Sequence, residues 1–351
     1  MDSMNNDLST SLITIGEEPY VGETPEPFLD TWLTPNNRFY IRSHFNFPQL
    51  SSENLLIPIN GFVENPLTIS MKDIKRFPKH TLPVTLECAG NNRSDLLPKV
   101  PGNQFNSGAV SNAIWTGTPL KEILNLVNVK NNVSEILFKG ADVGVTDPNK
   151  PNEPYLRSLS LEMANHPDTI LAYEMNGEEL PIEHGYPLRL IVPGWYGMAS
   201  VKWISEITAI EKLFSGYFQG KKYVLKYKDG TEKPLEKIHV KSLVTYPLAN
   251  TTFEQNDVAI EGIAWSGYSG IKKVEISVDG GIHWNNASLI GPSEKYSWHQ
   301  WHYKWINPDK GSHSIISRAI DGDGNIQPIE SVWNELGYAV NGCKPVSIVI
   351  E

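Results

Sequence analysis

Beyond about Tyr227 the chain carries no helical periodicity, which restricts its last third to sheet. Val258–Ala264, Ile271–Val278, His313–Ala319 and Val346–Ile350 read as successive strands. Turns of the kind Asp279-Gly280-Gly281 and Asp321-Gly322-Asp323-Gly324 separate them. A β-sandwich of roughly 110 residues follows from that spacing. The upstream texture is mixed. Arg38–Arg42, Leu56–Val63, Val84–Cys88, Ile136–Gly140 and Leu188–Val192 read as strands. Ser70 to Asp73 forms a capping-box-like helix start, Thr118 and Pro119 suit N-cap and N1 of a second helix, and Leu159–Ala164 a third.

At 351 residues the chain exceeds the ~250–300 at which a single core stops growing, so two domains are expected. The texture places a polar, poorly ordered arm over 1–30, a mixed α/β domain over 31–230 and the sandwich over 231–351. The class is α+β. A net charge of −10 argues against sequence-independent nucleic-acid binding, which needs Lys and Arg to displace counterions. It does not forbid an anionic substrate, because a few arginines inside a pocket can outweigh a screened exterior. The N-terminus lacks a basic, apolar export signal, and no apolar run approaches the ~20 residues of a membrane span. A cytoplasmic protein without a membrane partner is the expectation.

Only two cysteines occur, Cys88 and Cys343, with no CxxC or haem-attachment motif. Cys88 ends a short β-branched strand and opens the loop Ala89-Gly90-Asn91-Asn92-Arg93-Ser94. Backbone N–H groups and Arg93 would favour its thiolate, the form that binds metals or acts as nucleophile. A buried structural cysteine is the plainer alternative. Arg42, His44, Arg93, His184, Arg189 and Lys202 stand in apolar, Gly-rich contexts. Singly each suits a surface or an ion pair; together they suggest an anion-binding cleft. The loop Gly194–Ser200 is either a tight turn or a backbone cradle for phosphate. His299 and His302, beside Trp298 and Trp301, suit aromatic packing better than a metal site. No nucleotide-binding glycine loop or hydrolase elbow is present.

Read in order, these segments resemble the sulfite oxidase family of molybdopterin-dependent oxidoreductases, in its haem-free bacterial type. The most specific is Leu86-Glu87-Cys88-Ala89-Gly90-Asn91-Asn92-Arg93-Ser94. Leu171–Gly177, His184–Arg189, Val192–Gly194, Ser200–Trp203, Phe39–His44 and Asp321–Trp333 follow the same family pattern. The resemblance implies a molybdopterin-binding domain, an immunoglobulin-like dimerisation domain and a homodimer. It implies molybdenum held by one molybdopterin dithiolene and Cys88. It further implies pterin contacts from Tyr40, Arg42, His44, Asp142, His184, Arg189, Ser200, Val201 and Lys202. Tyr223, Arg42 and Arg93 match the residues at the substrate, and the reaction implied is oxidation of sulfite to sulfate.

Several positions depart from the family. Phe105 stands where a tryptophan is usual, and Lys222 precedes Tyr223 where an acid is often seen. The Asn91-Asn92 pair replaces one basic residue, and His302 or a neighbour replaces a third substrate arginine. These changes leave a second reaction open, reduction of an S-oxide or N-oxide, or chemistry on a different oxyanion. With no haem motif, the electron acceptor is expected to be a separate molecule.

Overall fold

A computed structural model describes residues 12–351. It is mostly sheet. Only three short α-helices occur among the described residues, Met71–Ile74, Leu120–Val127 and Leu161–Ala164. The first has the capping box expected of it: the Ser70 hydroxyl accepts from the Asp73 amide, and the Asp73 carboxylate accepts from the Ser70 amide. The second starts one residue later than its sequence suggests. Thr118 does not cap it, because its hydroxyl donates to the Ile74 carbonyl at 2.8 Å, and Pro119 takes the cap position. This helix buries Leu120, Ile123, Leu124 and Val127 on one face and stops at Asn128, where φ is +53°.

Two five-stranded sheets frame the first domain. One runs Glu178–Glu179, Ile170–Met175, Val110–Pro119, His80–Glu87, with Arg189–Ile191 also pairing Ile170–Met175. The other runs Leu67–Ser70, Leu56–Gly61, Ile204–Ile210, Glu135–Gly144, Glu153–Ser160. His80–Glu87 pairs with Val110–Pro119 in unbroken register, so Cys88 is delivered at the end of a rigid ladder. Of the expected strand Arg38–Arg42 only Ile41–Arg42 is extended; Asn36–Arg38 is a 3₁₀ turn behind Pro35.

The expectation of a poorly ordered arm over 1–30 needs correction. Residues 1–11 lie outside the described part, but Ile13–Glu17 and Tyr20–Glu23 form a sheet with Ile41–Arg42. The polar texture misled because its polar groups are spent internally. Buried Glu23 accepts hydrogen bonds from the Asn106 amide and side chain, at 2.8 and 3.0 Å. The Thr24 amide donates to the Gly108 carbonyl, and a Cβ at Gly108 would sit 1.9 Å from the Thr24 oxygen. Only glycine admits this approach.

In the last third, Lys241–Tyr246, Val258–Trp265, His299–Trp305 and Ser288–Ile290 make one sheet. Thr252–Phe253, Val346–Ile350, Gly311–Asp321, Ile271–Ser277 and Asn285–Asn286 make a second. The two share a core containing Ile260, Val274, Trp301, Ile315 and Ile348. Trp265 and Trp298, by contrast, belong to the core of the first domain. The Trp298 indole donates to the Trp32 carbonyl and its amide to the Thr85 hydroxyl, at 2.8 and 2.7 Å.

A buried ion pair that stands next to Cys88 links the two parts. Lys241 and Glu87 are 3.0 Å apart, with side chains 4% and 3% exposed. Lys241 Nζ also donates to Asn92 Oδ1 and to the Val340 carbonyl, so all three of its protons are used. Glu87 further accepts from Asn91 Nδ2 and from the Trp265 indole. Breaking such a pair from one side leaves a buried charge uncompensated. Lys241→Met is therefore expected to destabilise the protein by about 3–5 kcal/mol. Adding Glu87→Gln should restore much of that loss. Denaturant melts of the single and double variants measure both; equal losses in the two would contradict a charge-pairing role.

Candidate active site

One cavity, with about 660 Å³ of empty space, lies between the two first-domain sheets and the Cys88 loop. Tyr40, Arg42 and His44 reach it from the segment around the Ile41–Arg42 strand. Cys88 enters from the end of His80–Glu87, and Asp142 from Glu135–Gly144. His184 and Arg189 flank the turn before Arg189–Ile191, while Ser200, Val201 and Lys202 follow the Gly194–Ser200 loop. Tyr223 closes one end. Of the metal-, pterin- and substrate-site residues expected from sequence, Arg93 is the one that does not line it; Phe105, Lys222 and His302, which depart from the family pattern, also lie outside it.

The Cys88 loop is buried from Ala89 to Arg93. Asn92 takes a left-handed conformation, φ +62°, which asparagine tolerates better than most residues. Its side chain bonds Asp95, Ser107 and Lys241, and Asn91 bonds Glu87 and the Ala109 amide. The expected lowering of the Cys88 pKa is not what the surroundings produce. Burial raises it, against the pull of Arg42, the Gly90 amide and Arg93. Stabilising the thiolate here takes a further positive charge, as a bound metal supplies.

The cavity wall holds three cations, Arg42, Arg189 and Lys202, against one carboxylate, Asp142. Arg189 is buried over the Trp115 ring and donates to the carbonyls of His184 and Ser200. Burial without a carboxylate partner lowers its pKa to about 10. Lys202 Nζ donates to Ser43 Oγ and the Glu183 carbonyl at 2.7 and 2.8 Å. Asp142 has no ion-pair partner among the described residues, and burial outweighs the pull of Lys202 to raise its pKa to about 6. Two buried polar atoms on this wall, Asp142 Oδ1 and Arg189 Nε, have no hydrogen-bond partner. Each such orphan costs about 1–3 kcal/mol, so the wall is complementary to a ligand with both donors and acceptors and a net negative charge. Gly197 lets its loop pack closely on Tyr40, since a Cβ there would lie 2.6 Å from the Tyr40 hydroxyl.

Burial and the surrounding cations favour the neutral form of both histidines. His184 is pushed down to about 3 by burial and by Lys202 and Arg189. His44 is driven well below its usual range by burial, then by Arg42, Lys222, Lys202 and Arg157. His44 Nε2 lies 2.8 Å from the Tyr223 hydroxyl, in a hydrogen bond whose donor is set by the imidazole tautomer.

The Oxidoreductase molybdopterin binding domain model matches residues 44–218, and the Mo-co oxidoreductase dimerisation domain model matches 232–350. The chain is 32% identical to the sulfite oxidase of Arabidopsis thaliana, over 93% of this chain and 91% of that protein. The chain belongs to the sulfite oxidase family. The mitochondrial sulfite oxidase of Rattus norvegicus is 31% identical over 95% of this chain, and the chain spans 65% of that relative's length. The sulfane dehydrogenase SoxCD of Paracoccus pantotrophus superposes with a TM-score of 0.85 at 27% identity, covering 98% of this chain and 92% of that one. Family membership makes molybdenum–molybdopterin the cofactor class, and the charge and orphaned atoms of the cavity suit that polar, phosphate-bearing anion.

Relative to the family pattern, Phe105 is fully buried in the same apolar cluster as Tyr40 and Cys88. His302 lies within its sheet opposite Glu261 and Ser288, so it replaces no cation at this cavity. Sequence reasoning missed Ser43, which holds Lys202, and Tyr155, which packs on His44 and donates to the Met198 carbonyl. Neither carries a local signal beyond its residue type.

The buried histidines give the protein a pH signature. His184 titrates near its ordinary 6.5 when unfolded and near 3 when folded. Its contribution to stability is complete above pH 6.5 and is lost as pH falls from there toward 3. His44 acts in the same direction, and raised Asp142 opposes it in part. The slope of stability against pH across that window should be shallower in His184→Gln than in the parent. Parallel slopes in pH-dependent melts would count against a neutral buried His184.

Proposed function

We propose that the protein oxidises sulfite to sulfate with a molybdenum–molybdopterin cofactor held in this cavity. The observation that carries the reading is the gathering of one thiol, three cations and two orphaned polar atoms on a single wall beside a rigid strand end. Cys88 is the protein ligand to the metal, since a soft thiolate suits a high-valent centre that must stay bound through redox cycling. Arg189, Lys202, His184 and Asp142 hold the pterin and its phosphate, with Ser200 and Val201 offering backbone groups beside them. The bound molybdenum centre supplies two-electron oxidation with oxygen-atom transfer.

The chain's own task is position and field. Arg42 faces both this cavity and the neighbouring one, so it orients an anion toward Cys88. Arg93 adds positive field from behind the loop, its guanidinium tied to the carbonyls of Leu336 and Asn103. The Tyr223–His44 hydrogen bond fixes a proton at the cavity end where water must be managed. Reduction of a neutral S-oxide or N-oxide suits this geometry less well, because Arg42 and Arg93 have no ion-pair partner among the described residues.

The C-terminal sheets are read as an immunoglobulin-like unit that joins two copies of the chain. The dimerisation-domain match over 232–350 supports this reading. A separate molecule accepts the electrons.

Purified protein should contain stoichiometric molybdenum and reduce an artificial acceptor when given sulfite. Cys88→Ser should lose at least ~100-fold in turnover, the scale of removing a group essential to the reaction. Its melting temperature and sedimenting mass should stay those of the parent. Full sulfite turnover in Cys88→Ser would overturn the assignment of the ligand, and metal-replete protein inert to sulfite would overturn the substrate.

A further inference from the structure

A second cavity opens beside the first and shares Arg42, Ser43 and His44 with it. Lys222 and Asn103 also line it. Lys222 is the last residue of a π-helical segment, Tyr217–Lys222, and directly precedes Tyr223, which bonds His44. A π turn places its residues differently from an α turn and is frequent at functional sites.

Lys222 is half-buried, and its ammonium has no hydrogen-bond or ion-pair partner among the described residues. Burial lowers its pKa, and Arg42 and Arg93 lower it further. Arg42 lines this cavity with Lys222, and Arg93 adds to the positive field there. The carboxylate lining this cavity, Glu18, is exposed and pairs with none of them. Like charges gathered in a partly desolvated wall repel one another, and an entering anion relieves that repulsion.

The three are not equivalent. Arg93 spends its donors on the carbonyls of Leu336 and Asn103, so it contributes field rather than contact. Arg42 has one donor committed to the Ser43 carbonyl. Lys222 has none committed.

We propose that Lys222 is a direct oxyanion ligand of the substrate pocket, acting with Arg42 across the second cavity to set specificity for small dianions. This rests on the sulfite reading above and names a residue of that same site. Lys222 is a binding residue: it recruits and orients the anion, and the redox step is unchanged.

The test uses the holoenzyme, with sulfate as the probe of the anion site and sulfite as substrate. Lys222→Gln and Lys222→Met should each weaken sulfate binding, read by calorimetry and by competitive inhibition, about tenfold or more, the scale of losing one charge-assisted hydrogen bond. The sulfite KM should rise by a similar factor while kcat stays within about threefold. Lys222→Arg should return both constants to within about threefold of the parent. Molybdenum content and melting temperature should not move. Unchanged sulfate affinity and KM in both neutral variants would overturn the proposal and leave the sulfite reading standing. If the parent fails to turn over sulfite but the neutral variants still lose sulfate affinity, the anion role holds and the sulfite reading falls.

Discussion

The buried contact between Lys241 and Glu87 is the interaction on which the rest of the arrangement depends. Taking both charges out of water is costly, and it is offset only because every donor and acceptor around them is matched. The pair sits one residue from Cys88, and its partners come from both parts of the chain. The C-terminal sheets thus fix the backbone from which the thiol projects. Trp265 and Trp298, which lie in the first-domain core, extend the same linkage over an apolar surface.

A second constraint is electrostatic. The chain is acidic overall, yet the walls of its two adjoining cavities gather Arg42, Arg189, Lys202 and Lys222. The low polarity around them makes their field stronger than the same charges would exert at the surface. Burial works against Arg189, Lys202 and Lys222, pushing each toward its neutral form, and it raises the Cys88 pKa as well. A polyanion with its own metal charge answers both imbalances at once.

Much of this was legible in the amino-acid order. The strands of the last third and the helix start at Ser70 follow local rules of alternation and capping, and they stand close to where those rules put them. Cys88, Asp142, Arg189 and Lys202 were singled out from their flanking motifs, and they line one cavity. What escaped depends on long-range pairing. Glu23 looks like a residue of a solvated arm until Asn106 is brought to it. Thr118 looks like a helix cap until the Ile74 carbonyl claims its hydroxyl. Nothing in the sequence around Lys241 says that its partner lies 154 residues away. The Cys88 thiol was expected to be acidic from its neighbours in sequence, whereas enclosure by residues distant in sequence decides the opposite.

The cations around the cavities differ in how they are anchored. Arg189 ties two loops together through their carbonyls, Arg93 joins the Cys88 loop to the C-terminal segment, and Lys202 holds the Glu183 turn. Replacing any of these unpicks architecture along with recognition. Lys222 holds nothing else in place. The scaffold therefore has its slack at the pocket mouth, and a lineage exploring new oxyanions could vary that one position without first paying in fold stability.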